Sequence, residues 1–194
     1  MPDRLKLPLS FDGALLQRDL AILDSFDWID HFVKRNYEGD WTVLPLRGTK
    51  GAQHPIMSIY SAPGETEYED TAILGQCAYF QSVLRAFPFK LYAVRLMALT
   101  PGSIIKPHHD HDLSIEDGFA RFHIPITTNA DVSFTLNDQA VNMQVGECWY
   151  LRLSDTHSVK NQGDETRVHM VIDAPVTPEM LAFMGLVEPH NSHN

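Results

Sequence analysis

Residues 108–112 read HHDHD and hold three histidines and two aspartates. Imidazole and carboxylate groups are typical ligands of transition metals in proteins. Alternate residues of a β-strand point to the same face, so His108 and Asp110 can supply two ligands to one ion. A third ligand has to come from a neighbouring strand, and His157, which follows the strand-like run "ECWYLRL", is the candidate. Two histidines and one carboxylate are typical of non-haem Fe(II) oxygenases, in which the metal keeps open positions for a cosubstrate and O₂.

The remaining histidines are interpreted differently from this cluster. Four of the ten histidines fall within residues 108–123, which is a strong local excess. An isolated histidine is more often a surface residue or a hydrogen-bonded core residue than a metal ligand. We therefore interpret four histidines as ordinary structural residues: His31, His54, His190 and His193.

Arginines within apolar strand-like runs are the second chemical signal. Arg121 lies in "RFHIPI" and Arg167 in "RVHMVID", where a guanidinium is costly unless it is paired. Each is either salt-bridged or available to hold an anion. Arg167 follows His157 by ten residues, so it can reach the far end of a dicarboxylate whose near end lies on the metal. Arg95 in "YAVRLMAL" is the candidate for the carboxylate of a free amino acid, with a salt bridge to a helix carboxylate as the alternative.

These side chains need a β-rich framework, and the second half of the chain predicts one. After Pro88, seven short β-rich runs are separated by turn signals, a pattern typical of a β-sandwich or jelly roll. Before Pro88, "WTVLPLRG" predicts a strand. Helical spacing occurs in "ALLQRDLAILD", "DWIDHFVKRNY" and "TAILGQCAYFQSVLRAF".

We expect a single domain over residues 1–194, mainly β in an α+β arrangement. A helix-rich supporting region at 1–88 braces a β core at 89–175, and a C-terminal tail follows at 176–194.

Composition excludes several classes of partner. The net charge of −10 argues against nonspecific binding to nucleic acid or to an anionic membrane surface. No apolar run approaches the ~18 residues that a membrane helix needs, and the N-terminus has no signal-like apolar stretch. Two cysteines are too few for a disulfide scaffold. We expect a cytoplasmic protein with a small-molecule substrate.

Four segments together carry a resemblance to a known family. "PGSIIKPHHD", "RFHIPI", "GECWYLRLSDTHSVKNQG" and "RVHMVID" resemble the aspartyl/asparaginyl β-hydroxylases, which include bacterial free-proline hydroxylases of the cis-4 type. The similarity covers roughly residues 90 to 175, in the same order and with similar spacing. It implies a double-stranded β-helix, a jelly roll of the cupin-like type, that uses Fe(II), 2-oxoglutarate and O₂.

The resemblance also implies roles for individual residues. His108 and His157 match the two metal-binding histidines of the family, and Asp110 matches the carboxylate of its proline-hydroxylase members. Some relatives of the animal type lack this carboxylate.

For the cosubstrate, Arg167 matches the arginine that binds the far carboxylate of 2-oxoglutarate. Arg121 and His123 match the R-x-H pair near its metal-bound end. Relatives of the animal type carry a serine that helps to hold the cosubstrate, and Met97 occupies that position here.

The activity implied is hydroxylation of an unactivated C–H bond with release of succinate and CO₂. A small amino acid such as proline is the favoured substrate, and an Asp/Asn-type side chain is the other possibility. The acidic loop "DHDLSIEDGFA" suits a substrate that bears an amine.

Two alternatives remain open at this point. A cupin-type dioxygenase or isomerase would bind its metal without 2-oxoglutarate, through His109, His111, Glu116 and His157. A non-catalytic β-sandwich that binds a ligand would need neither iron nor 2-oxoglutarate. The cupin-type alternative gives no role to Arg121 or Arg167.

Overall fold

The computed structural model describes residues 1–52, 59 and 64–187. Of the four histidines interpreted as structural, His54, His190 and His193 lie outside the described residues, as does the end of the 176–194 tail. Within the described part of the chain, no helix combines the length and the apolar character needed to cross a bilayer.

Strands outnumber helices among the described elements. The helices are α1 (Gly13–Ile22), α2 (Ala78–Arg85) and α3 (Pro178–Phe183). The strands are β1 (Arg4–Ser10), β2 (Ile29–Asp30), β3 (Tyr37–Glu38), β4 (Trp41–Thr49), β5 (Tyr68–Asp70), β6 (Val94–Leu99), β7 (Ile104–His108), β8 (Phe119–Thr127), β9 (Val132–Leu136), β10 (Gln139–Ala140), β11 (Glu147–Leu151), β12 (His157–Asn161) and β13 (Arg167–Pro175).

The strands form two antiparallel sheets. The larger sheet has the order β1-β11-β8-β13-β6-β4-β2, with β5 paired to β4, and the smaller has the order β10-β9-β12-β7-β3. Strand order crosses between distant parts of the chain, as in a jelly roll. The predicted mainly-β jelly roll is therefore confirmed.

Both faces of the larger sheet are buried, and they differ in chemistry. In β8, Phe122 and Ile124 are fully buried in the apolar cluster that includes Leu16 of α1 and Phe80 of α2. Because successive strand residues point to opposite faces, every second residue of β8 faces the smaller sheet instead. In β6 and β13 the residues likewise alternate between the face towards the helices and the face towards the smaller sheet. The residues of these three strands that face the smaller sheet include Arg95, Met97, Leu99, Arg121, His123, Arg167, His169, Val171 and Asp173.

The helical prediction for "DWIDHFVKRNY" is wrong. The segment contains β2, a 3-10 turn at Lys34–Asn36, and β3. β2 pairs with β4 and β3 pairs with β7, so edge-strand hydrogen bonds replace the helical ones. Of the apolar residues in this segment, Trp28, Ile29 and Tyr37 pack in or against the core clusters, whereas Phe32 is exposed.

The helix predicted over "TAILGQCAYFQSVLRAF" is confirmed only in its second half. α2 begins after Cys77, whose backbone is not helical, and a 3-10 turn precedes it. The carboxylate of Asp19 accepts hydrogen bonds from the backbone N–H groups of Tyr79 and Phe80, at 2.6 and 3.0 Å. A residue from α1 thus satisfies the free donors at the start of α2, which a local reading of the sequence cannot detect.

Candidate active site

A cavity of about 600 Å³ opens between the two sheets. Polar residues from the inner face of the larger sheet form its floor, and the ends of β7 and β12 form one side. All seven residues singled out from the sequence line it: Arg95, His108, Asp110, Arg121, His123, His157 and Arg167.

The three predicted metal ligands converge in this cavity. His108 at the end of β7 is the direct cross-strand partner of His157 at the start of β12, and their ring centroids are 4.3 Å apart. Asp110 follows two residues after His108, and its backbone N–H donates to the Leu153 carbonyl at 2.8 Å. One ligand atom from each of the three side chains lies within 4.8 Å of the others. Antiparallel pairing therefore brings together residues that are 49 positions apart in the sequence.

Both histidines are oriented by backbone carbonyls. The Nδ1 atom of His108 lies 2.7 Å from the Lys106 carbonyl oxygen, and that of His157 lies 3.0 Å from the Asp155 carbonyl oxygen. A proton on each Nδ1 leaves Nε2 with a free lone pair, as a metal ligand requires. Burial lowers the pKa of His157 to about 4, so its imidazole is neutral at pH 7.

Asp155, two residues before His157, could orient the His157 ring through either its carboxylate or its main chain. Its backbone carbonyl does make this contact. Its carboxylate instead accepts from Arg152 at 2.9 Å and from Asn137 at 2.7 Å. The orienting group is thus main chain, while the side chain stabilises the turn before β12.

The carboxylate of Asp110 divides its two oxygens between different partners. Its Oδ2 accepts from Nη1 of Arg121 at 2.9 Å, and its Oδ1 lies 3.7 Å from Nε2 of His108. Arg121 is held in turn by Asp173, a fully buried aspartate of β13. Burial raises the pKa of the Asp173 carboxyl, but the charges of Arg121 and Arg95 outweigh it and hold that pKa well below its usual range.

Arg95 lies deeper than Arg121 and is only 2% exposed. Its Nη1 donates to the carboxylate of Asp173 at 2.8 Å. Arg95 therefore forms a salt bridge, which was the alternative predicted from the sequence. Its partner, however, lies on strand β13 and not on a helix. Nε of Arg95 has no hydrogen-bond partner among the described residues.

Arg167 is the least compensated charge of the cavity. It is 3% exposed, its Nη2 lies 2.9 Å from Nδ1 of His169, and its Nε has no partner among the described residues. Burial lowers the pKa of its guanidinium to about 9, and no carboxylate of the described residues opposes the effect. His123 lies beside it, and its Nε2 also lacks a partner within the described part of the chain. A buried cation with free donors is an anion-binding arrangement.

The opposite wall includes a histidine whose place in the cavity the sequence interpretation missed. The ring of His31 stacks on Trp41, with centroids 3.6 Å apart and planes 9° apart, and both line the cavity. Nδ1 of His31 accepts from the Val33 backbone N–H at 3.3 Å, as expected for a hydrogen-bonded structural histidine. The sequence around His31 does not indicate that it lines a cavity. The pairing of β2 with β4 brings His31 there.

The ligand set of the cupin-type alternative is not assembled. His109 and His111 are exposed and contact each other edge to face, at 5.1 Å between centroids. Glu116 instead lies 3.3 Å from the N-terminal amine and 3.9 Å from Arg152. Among the described residues, the one group of three metal-ligand side chains is His108, Asp110 and His157.

Comparison with known proteins supports the same fold. HygX from Streptomyces hygroscopicus, solved with nickel and 2-oxoglutarate bound, aligns with a TM-score of 0.53 at 11% identity, over 88% of this chain and 82% of that one. A Pseudomonas putida prolyl-4-hydroxylase aligns with a TM-score of 0.54 at 10% identity, over 90% of this chain and 93% of that one. These similarities and the two-sheet topology confirm the double-stranded β-helix.

Sequence comparison identifies the family. The L-proline cis-4-hydroxylase of Rhizobium meliloti (strain 1021) is 27% identical in an alignment of 184 positions that covers 93% of this chain and 63% of that protein. The chain thus spans less than two thirds of the length of this relative. Residues 16–176 match the family described as Aspartyl/Asparaginyl beta-hydroxylase, a match that runs from within α1 to just beyond β13. Since this match covers most of the chain, the protein belongs to the aspartyl/asparaginyl β-hydroxylase family.

Proposed function

We propose that this protein is an Fe(II)- and 2-oxoglutarate-dependent dioxygenase that hydroxylates an unactivated C–H bond of a small amino acid, with proline as the first candidate. The observation that carries the proposal is the placement of a buried Arg167, which has no carboxylate partner among the described residues, in the same cavity as the His108, Asp110 and His157 group. The family and the related L-proline cis-4-hydroxylase support the same chemistry.

The three ligands fit Fe(II) in number and type. His108 and His157 would each offer an Nε2 lone pair, and Asp110 would offer Oδ1. When bound, Fe(II) and 2-oxoglutarate supply the chemistry in which O₂ is consumed, the C–H bond becomes C–OH, and succinate and CO₂ leave. The protein's own task is to hold the ligands, place the substrate and exclude water.

The donors around Arg167 fit a dicarboxylate cosubstrate. The guanidinium of Arg167 binds the far carboxylate and gains there the anionic partner that it lacks among the described residues. His123 and Arg121 lie nearer the metal group and bind the other end. Arg121 has five N–H donors and uses three on aspartates, so two remain for this contact. Met97 lines the cavity without a hydrogen-bonding hydroxyl, which increases the dependence on Arg167.

The substrate is a zwitterion in this proposal. Arg95 provides positive potential for a carboxylate from the floor of the cavity, while Asp112 and Asp117 line it with negative charge suited to an ammonium group. The stacked rings of His31 and Trp41 provide a flat wall against which a compact apolar ring can pack. An Asp/Asn-type side chain is the second substrate class to test.

Turnover with a panel of amino acids tests the proposal. The iron-loaded protein is incubated with 2-oxoglutarate, O₂ and single free amino acids, or with peptides containing aspartate or asparagine. Succinate and products with one added oxygen atom are measured by mass spectrometry, and His157→Ala serves as the control. We expect proline or a related amino acid to stimulate succinate formation together with a hydroxylated product. Stimulation by peptides alone would reject the free amino acid, and no stimulation by any compound would reject the proposed activity.

A further inference from the structure

Asp173 is a buried aspartate that the proposed chemistry does not use directly. It lies on β13 opposite Arg121 of β8, is fully buried, and accepts from Nε and Nη2 of Arg121 at 2.7 and 3.0 Å. Its second partner is Arg95 on β6, at 2.8 Å. One carboxylate thus holds two guanidiniums at the centre of the larger sheet.

The contact between Arg121 and Asp173 determines how Arg121 meets the metal group. With Nε and Nη2 engaged, Arg121 presents Nη1 to Asp110 and donates to its Oδ2 at 2.9 Å. The other oxygen of Asp110 remains on the side of His108 Nε2, at 3.7 Å. The carboxylate of Asp110 is therefore divided between one arginine donor and the metal position.

An arginine without this restraint would bind Asp110 differently. Guanidinium and carboxylate groups prefer two parallel hydrogen bonds, which occupy both carboxylate oxygens. If Asp173 did not hold the Nε edge, Arg121 could turn and present that edge to Asp110. The metal would then compete with a buried guanidinium for Asp110, the carboxylate ligand of the group formed with His108 and His157.

We propose that Asp173 is a positioning residue that restricts Arg121 to one oxygen of Asp110 and so keeps the other oxygen available to the metal. The inference rests on the proposed function, because the metal is the one that the proposed enzyme requires. It makes a residue of β13, 63 positions from Asp110 in the sequence, a determinant of metal affinity.

The test uses variants that keep the buried charge balanced. Asp173→Asn alone leaves two guanidiniums against one carboxylate and can fail to fold. The double variant Arg95→Gln/Asp173→Asn removes one charge of each sign, and Arg95→Gln alone is its matched control, since Asp173 still holds Arg121 there. Metal-free proteins are titrated with Co(II) in the absence of 2-oxoglutarate and followed by visible absorption, and circular dichroism monitors the fold.

Arg95→Gln gives the reference affinity for Co(II), because Asp173 still holds Arg121 in that variant. The double variant should bind about 10- to 100-fold more weakly, the range found when groups that orient metal ligands are removed. In an Arg95→Gln/Arg121→Met background, adding Asp173→Asn should cause no further loss, because no guanidinium is left for Asp173 to restrain. If Asp173 had a purely structural role, Asp173→Asn would weaken Co(II) binding equally in the presence and in the absence of Arg121.

The outcomes separate the inference from the proposed function. If the wild type binds one equivalent of Co(II) and the double variant binds as tightly as Arg95→Gln, Asp173 does not position the site, while the metal site stands. If the folded wild type binds no Co(II), the metal site is absent, and both the proposed function and the inference are overturned.

Discussion

Replacing Arg167 by methionine should separate the stability of the metal-free protein from its capacity to bind 2-oxoglutarate. Arg167 is 3% exposed and donates to a neutral histidine, His169, with no carboxylate partner among the described residues. Burial lowers its pKa from 12.5 to about 9. Methionine fills much of the same volume without a charge, so the variant removes the burial cost of the guanidinium.

The magnitudes follow from this environment. A pKa reduction of this size corresponds to about 5 kcal/mol of burial cost for the charged form, which is present at pH 7 because both pKa values lie above it. The lost hydrogen bond to His169 cancels about 1 kcal/mol of this gain in stability. The lost packing of the arginine side chain cancels a further part of it. We therefore expect the free energy of unfolding of the metal-free protein to rise by about 1–4 kcal/mol. For a domain of this size the melting temperature rises by about 2–4 °C per kcal/mol.

The effect on the cosubstrate has the opposite sign. Two charge-assisted hydrogen bonds from Arg167 to a carboxylate contribute roughly 1.5–3 kcal/mol each. Their loss should weaken 2-oxoglutarate binding by roughly two to four orders of magnitude. The protein then becomes more stable without ligand and loses the stabilisation that the ligand provides.

Thermal unfolding of the metal-loaded and metal-free proteins, with and without 2-oxoglutarate and without oxygen, measures both effects. Arg85→Met is a matched control, because Arg85 is exposed at the end of α2 and does not line the cavity. It should leave the ligand-dependent rise in melting temperature unchanged. If Arg167→Met lowers the melting temperature of the metal-free protein and retains the full ligand-dependent rise, Arg167 is a structural residue and not the anion site.

Three further predictions concern the metal, the pH response and the core. Asp110→Ala should abolish or strongly weaken iron binding, measured by equilibrium dialysis, and full retained turnover would show that Asp110 is not a ligand. Burial lowers the pKa of His31 to about 3, so the stability it contributes above pH 6.5 should be lost as pH falls from 6.5 towards 3. Denaturant unfolding measures how much the free energy of unfolding falls between pH 7 and pH 5. This fall should be smaller in His31→Phe than in the wild type, by up to about 2 kcal/mol, and equal falls would contradict this assignment. Phe122→Ala, in the helix-facing core, should cost about 3–5 kcal/mol of unfolding free energy, and a cost below 1 kcal/mol would contradict the packing described.

The sequence predicted the β framework well because period-two patterns are local. In β13 the residues that face the helices are apolar and those that face the cavity include Arg167 and Asp173, an alternation that can be read directly from "RVHMVID". The metal group was also predictable, since His108 ends one strand, Asp110 follows it by two residues, and His157 begins another strand.

Features that depend on pairing between distant strands could not be read in this way. Asp173 holds Arg95 across 78 residues and Arg121 across 52, and no spacing rule links them. His31 reaches the cavity only because β2 pairs with β4, in a segment whose apolar spacing suggested a helix. The start of α2 likewise depends on Asp19, a residue of another helix.

Anaerobic titration of the metal-free protein with Fe(II) and 2-oxoglutarate, monitored by visible absorption, tests the central claim most directly. Chelation of the keto acid by iron at the group of His108, Asp110 and His157 should produce a metal-to-ligand charge-transfer band at one equivalent of each component. The band should weaken strongly in Arg167→Ala and be absent in His157→Ala. Iron binding without any such band would contradict the account, because it would show a metal site that does not take 2-oxoglutarate.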